Sequence, residues 1–277
     1  MTLVLSPREV DERLSGESDM SAGKLTRLAL VIEYDGARYV GSQLQNDLPT
    51  IQSELEKALL ALTGEEIRVS LAGRTDAGVH AHGQVAGFNT ASALPEKTFI
   101  SGLNHFLPAD ISVKSARRVD AAFDPRRSAS KREYEYFILN SNTRSALWCG
   151  RAYQVTGDID VEAMDKACRL LVGEHDFASF ASGIEDSEKS TFRHMYEASV
   201  RREGNMVIVK LVANAFLPHQ VRNTIGALLR IGQGKMTQDE FQGIINLREF
   251  GLAGPSAPAC GLYLNKVHYG SNLEEGF

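Results

Sequence analysis

"LAGRTDAGVHAHGQVAGF", Leu71 to Phe88, reads as the end of one strand, a tight turn and the start of another. The flanking runs "IRVSLAG" and "QVAGF" have the β-branched and apolar content of strands, while Gly73 and Gly78 bracket Asp76 and let the backbone turn sharply. Upstream, "RLALVIEY" predicts a buried strand, and Thr50 caps a helix whose apolar stripe is Ile51, Leu55, Leu59 and Leu62, closed by Gly64. Downstream, "PEKTFISGLNHF" predicts a helix with Pro95 in its first turn, and "ISVKSARRV" a further strand.

From Lys131 the plan repeats. "REYEYFIL" predicts a strand, Asp160 caps a helix expected to run to Gly173, and "HMYEASVRR" and "MVIVKLVA" form a hairpin around Glu203-Gly204-Asn205. Strand alternation would put Tyr196, Ala198 and Val200 on one face of that hairpin. "HQVRNTIGALLRIGQG" predicts a helix, Thr237 and Glu240 a capping box for another, and "LYLNKVHY" a closing strand. The expectation is an α+β fold of two similar halves, 25–130 and 131–271, mostly antiparallel sheet flanked by helices, with a cleft between them. Residues 1–24 are expected to be a mobile polar extension and 272–277 a tail.

The 277 residues are 43% hydrophobic and 23% charged, ordinary for a globular enzyme. No apolar run reaches the roughly 18 to 20 residues that span a bilayer, and no basic segment leads into a long apolar one near Met1, which points to the cytoplasm. Cys149, Cys168 and Cys260 form no CxxC pair and are expected to be reduced and mostly buried. The net charge of -5 sits at the ends: residues 1–19 hold five acids against two arginines, and Glu274 and Glu275 supply the rest. In the neutral body, "DPRRSASKR" sets Arg126, Arg127, Lys131 and Arg132 against one aspartate, enough to dock a polyanion or to be a solvated basic loop.

Asp76 with Arg74 two residues before it suits a carboxylate that attacks or deprotonates, kept anionic by a nearby cation; a surface turn would use the same residue types. A metal reading through Asp76, His80 and His82 lacks further ligands, and His80 and His82 can equally be hydrogen-bonded structural residues. Glycoside hydrolysis pairs two carboxylates, and Asp35 in "YDG", the nearby second acid, can simply cap a turn. A single acid fits a reaction that consumes no net water.

From about Leu28 to Tyr269 the sequence resembles the tRNA pseudouridine synthase A family. The resemblance rests on "YDGARYVGSQLQ", "AGRTDAGVHAHGQVAGF", "LNHFLPADISV", "FDPRRSASKREYEYFI", "GEHDFASF", "NAFLPHQVRNTIGALL" and "APACGLYL", in that order. It implies the pseudouridine synthase fold and an isomerisation of uridine to pseudouridine in the anticodon stem and loop of tRNA, with no cofactor and no metal, by a homodimer. Asp76 would be the nucleophile, whether toward C1', C6 or a sugar proton; Arg74 would pair with it and fill the gap the extruded nucleotide leaves. Tyr134 would stack on the flipped uracil and help move the C5 proton, Arg222 would be a second cation near Asp76, and Leu264 would pack beneath the base. Phe123, Arg126 and Arg127 would contact tRNA, as would the polar stretch "GIEDSEKSTFR". Ser42 stands where relatives usually carry an aromatic. The rival from another class is a non-catalytic RNA-binding module on the same scaffold.

Overall fold

The computed structural model describes residues 25–182 and 190–270. The expected extension (1–24), the tail (272–277) and most of "GIEDSEKSTFR" lie outside them. Ten strands form one mixed sheet, in the order β4 (Ile111–Val119), β1 (Thr26–Tyr34), β3 (His80–Thr90), β10 (Leu262–His268), β5 (Lys131–Asn140), β9 (Met206–Ala213), β8 (Phe192–Glu203), β7 (Gly173–Asp176). The short strands β2 (Ser70–Leu71) and β6 (Tyr153–Val155) pair with β3 and β5. Among the described residues five α-helices flank it: α1 (Ile51–Thr63), α2 (Glu96–Phe106), α3 (Val161–Arg169), α4 (Gln220–Gly232) and α5 (Gln238–Leu247).

The helix boundaries follow their caps. Thr50 and Ser53 form a capping box at the start of α1, and Gly64 ends it in the left-handed region at φ 75°. Thr237 and Glu240 do the same for the start of α5. The helix α3 stops at Arg169, short of Gly173, because Gly173 at φ 111° instead opens β7, which pairs with β8 from Met195 to Phe192. Two other expectations are also corrected. "IRVSLAG" yields only Ser70 and Leu71 as strand, because the Val69 backbone is taken by α1 instead, its amide donating to Glu56 Oε1 at 3.0 Å and its carbonyl accepting from Gln52 Nε2 at 3.0 Å. In β8 the register shifts between Met195 and Glu197, and this bulge leaves Tyr196 exposed while Ala198 and Val200 are buried.

The last strand joins the two ends of the chain's plan. β10 runs parallel to β3, with Leu264 beside Ala81, and antiparallel to β5, with Leu264 opposite Tyr134. The turn before β3, the centre of β5 and β10 therefore meet at mid-sheet. A single core runs along the sheet, from Leu28, Leu30 and Phe88 to Phe180, Leu228 and Phe241. Among the three cysteines only Cys168 is buried; Cys149 is exposed. No helix among the described residues is long and apolar enough to cross a membrane.

Candidate active site

The turn that carries Asp76 is stapled on every side. Ser42 accepts from the Thr75 amide through Oγ at 2.9 Å and donates its own amide to the Thr75 carbonyl at 3.0 Å, while the Tyr34 hydroxyl meets Thr75 Oγ1 at 2.8 Å. Ser42 is fully buried, so its small hydroxyl clamps the loop where a larger ring would have to be accommodated. On the β3 side, Gln84 brackets Gly73, accepting from its amide at 3.3 Å and donating to its carbonyl at 2.7 Å. Gly78 lies at φ 78°, a conformation a side chain resists, and the Val79 amide closes the turn on the Asp76 carbonyl at 3.2 Å. These bonds hold the carboxylate's backbone in place before any ligand arrives.

Asp76 looks onto a cleft of about 690 Å³ between this turn, the start of β5 and the segment leading into α4. Among the described residues its charged lining is one carboxylate, Asp76, against five guanidiniums: Arg74, Arg126, Arg132, Arg193 and Arg222. A chain of net negative charge thus presents a cationic cleft, the electrostatic form that receives a polyanion.

The cation in contact with Asp76 is Arg222, whose Nη1 donates to Oδ2 at 3.1 Å and whose Nε donates to the Ala257 carbonyl at 2.8 Å. Arg74, expected to be its partner, is exposed on the cleft wall and makes no ion pair among the described residues, and α4 delivers the partner instead. His219 also reaches Asp76, with Nε2 at 3.6 Å from Oδ2. The sequence held no signal that separated His219 from the other histidines, since its position depends on how the α4 entry folds back over the β3 turn.

Tyr134 is buried on the cleft floor, edge-on to Phe216 with centroids 5.1 Å apart. Burial pushes its phenol above the ordinary tyrosine range, with the neighbouring Tyr34 and Asp76 adding to the effect against Arg132, so the hydroxyl is held protonated. Leu264 is fully buried behind Gly73 and Tyr134; Leu262, two residues earlier on the same strand, is the leucine that lines the cleft. Tyr136 is a packing residue whose hydroxyl donates to the Pro258 carbonyl at 2.8 Å.

The basic loop is built by Asp124, whose Oδ1 accepts from the amides of Arg126 at 2.8 Å and Arg127 at 2.7 Å, which with the nearby guanidiniums holds its carboxyl below the usual range. Arg126 and Arg127 are exposed, and Arg126 turns to the cleft. Phe123 is only 6% exposed and packs on Tyr269 at 5.2 Å, so it anchors the loop and does not present a surface. Arg132 ties that loop to the far wall, donating to the carbonyls of Ala129 at 3.1 Å and Asn214 at 2.8 Å. In the sequence Arg132 belongs to the basic segment and Arg193 ends the polar stretch "GIEDSEKSTFR", but nothing local marks either as a lining residue of the Asp76 cleft.

Asp35 caps the turn Gly36–Arg38, accepting from the Ala37 amide at 3.0 Å, and pairs with Arg151 at 3.2 Å. His80 is buried and structural, with Nδ1 accepting from the Gly36 amide at 3.1 Å and Nε2 meeting the Gly150 carbonyl at 3.0 Å. The rings of His80 and His82 both stack on Tyr263. Among the described residues no three His, Cys, Asp or Glu side chains converge in a metal-holding group.

The family of tRNA pseudouridine synthases matches the chain over residues 30–126 and 167–270. A tRNA pseudouridine synthase A of Shewanella piezotolerans is 41% identical over 248 residues, covering 90% of this chain and 95% of that protein. Proteins of the same name from Shewanella frigidimarina and Acetivibrio thermocellus are 42% and 41% identical, each over 88% of this chain and over 93% and 100% of their own lengths. Both matched segments run through the cleft, one carrying the Asp76 turn and the other Arg222 and the strand behind Tyr134, and the chain belongs to the tRNA pseudouridine synthase family.

Proposed function

We propose that this cleft isomerises uridine to pseudouridine in the anticodon stem and loop of tRNA. The observation that carries the reading is Asp76, the lone carboxylate among the described lining residues, gripped by Arg222 at 3.1 Å in a cleft whose other charged lining among them is arginine. The reaction breaks the bond from uracil N1 to ribose C1' and forms one from C5 to C1'; N1 gains a proton and C5 loses one, so nothing is consumed. A target inside a folded stem or loop must leave its stack to reach such a cleft, and guanidiniums on the walls receive the phosphates on either side of it.

Asp76 is the nucleophile in this reading, toward C1' or C6, or the base toward a sugar proton. Arg222 balances its charge, and Arg74, exposed at the rim, takes the space the extruded nucleotide leaves. Tyr134 supplies a face for the uracil and, because its phenol is held protonated, acts as a hydrogen-bond donor and not as a resident base. Leu264 supports the floor from behind. Arg126 and Arg127 contact the phosphates, with Phe123 holding their loop in register. By family resemblance the enzyme works in the cytoplasm as a homodimer.

Site-resolved pseudouridine mapping on tRNA incubated with the pure protein tests the activity and its position together, with Asp76→Asn as the companion. Asparagine keeps the shape and the turn but not the charge. Under single turnover with enzyme in excess the variant is expected to form no pseudouridine while still binding tRNA. A rate within about tenfold of wild type would remove Asp76 from the chemistry.

A further inference from the structure

The two oxygens of the Asp76 carboxylate have different surroundings. Arg222 Nη1 at 3.1 Å and His219 Nε2 at 3.6 Å both approach Oδ2, whereas Oδ1 accepts no hydrogen bond among the described residues. His219 is placed there at a conformational cost. It stands immediately before α4 at φ 59° and ψ -2°, the left-handed region that few side-chain residues adopt. Two contacts hold the ring and its backbone there: Ser182 Oγ lies 2.6 Å from His219 Nδ1, and the Ser182 amide donates to the Pro218 carbonyl at 3.3 Å.

The proton arrangement follows from the partners. A carboxylate is acceptor-only, so the nitrogen that faces it must carry the proton, and Nδ1 of a neutral ring is then the acceptor from the Ser182 hydroxyl. We infer that His219, oriented by Ser182, is a positioning residue for Asp76: its Nε2–H closes on Oδ2 beside Arg222 once substrate fills the cleft, and Oδ1 is left as the atom that meets the nucleotide. Catalytic contacts that are long in an empty site commonly tighten in the complex. Two donors on one oxygen hold the orientation of the carboxylate group, so the lone pairs of the other oxygen keep one direction. This inference rests on the assignment of Asp76 as the reacting group.

Two substitutions separate positioning from a merely structural turn because they rank in opposite orders. His219→Asn suits the left-handed backbone and keeps an amide where Nδ1 meets Ser182, but it is too short to reach Asp76. His219→Gln fits the backbone less well yet can carry an N–H to the Nε2 position. Single-turnover pseudouridine formation on an anticodon stem-loop, tRNA affinity and thermal melting are measured for both, with Asp76→Asn alongside. The expected result for Asn is a rate lowered by about 10- to 100-fold with affinity within about twofold of wild type, and for Gln a rate within about threefold of wild type. An Asn rate within about twofold of wild type, equal losses in Asn and Gln, or a loss that follows tRNA affinity overturns the inference. Should Gln lower the melting temperature, the Asn rate alone decides. If Asp76→Asn is inactive while His219→Asn is not, only the role of His219 falls; if Asp76→Asn is active, the assignment of Asp76 falls as well.

Discussion

Arg222 Nη1 stands 3.1 Å from Asp76 Oδ2 across 146 residues of chain, and its Nε is anchored on the Ala257 carbonyl at 2.8 Å. The cation beside the carboxylate is thereby fixed from two directions, one of them outside both the β3 turn and α4. Lysine keeps the charge but offers a single ammonium in place of the planar fork and cannot span both acceptors. Arg222→Lys is expected to lower the single-turnover rate by about 100-fold, equivalent to about 2.7 kcal/mol of transition-state stabilisation, with tRNA affinity little altered. A lysine enzyme with the wild-type rate would show that charge alone suffices.

Gly226, one turn after Arg222 on α4, is where that anchor can be moved without touching a charged group. A Cβ there would clash with the Pro255 carbonyl oxygen, inside the loop that supplies Ala257. Exchanging glycine for alanine within a helix ordinarily stabilises by about 1 kcal/mol. Here overpacking against backbone outweighs that gain, and Gly226→Ala is expected to destabilise the fold by at least about 1–3 kcal/mol and to lower activity in the fraction that remains folded. Denaturant titration gives the sign: an unchanged or raised midpoint would mean that the loop yields freely.

The loop of Arg126 and Arg127 is preorganised by Asp124 through two backbone bonds, so removing both side chains should leave the loop in place. The double alanine variant is expected to weaken tRNA binding and to lower the log-log salt slope by about one to two units. Affinity titrations across a salt series measure both. Unchanged affinity and slope would place the phosphates elsewhere on the molecule.

His80 couples the fold to pH. Its Nδ1 accepts from Gly36, yet it also lies 3.1 Å from Asp35 Oδ1, a contact that is an ion pair only for a protonated ring. Burial opposes the charge more strongly than Asp35 favours it, holding the imidazole below its ordinary value. The unfolded chain, titrating near pH ~6.5, then binds more protons than the folded one in the window below that value. The stability of the neutral, buried ring is therefore present above pH ~6.5 and declines as the pH falls through that window. The melting-temperature advantage of the wild type over His80→Gln is expected to shrink between about pH 7.5 and 5.5. An advantage that grows on acidification would identify the charged pair with Asp35 as the stabilising form.

Local signals in the sequence determined most of the elements and singled out Asp76 as the candidate reacting group. Capping residues and glycines set the ends of α1 and the start of α5, period-two alternation put Tyr134 and Tyr136 on one face of β5, and the glycine-bracketed turn exposed Asp76. These features depend on residues within a few positions of one another, so they can be read in one dimension. What surrounds Asp76 was decided by tertiary structure. The insertion of β10 between β3 and β5 sets Leu264 behind Tyr134, and side chains of α1 take the Val69 backbone and leave β2 two residues long. The entry to α4 brings Arg222 and His219 onto one carboxylate oxygen, where Arg74 was expected, and the folded sheet sets five arginines from separate segments against one acid among the described cleft residues of a chain of net negative charge. Sequence spacing measures distance along the chain; a carboxylate's partners are fixed by distance through space, which only the closed sheet and the helix laid across it define.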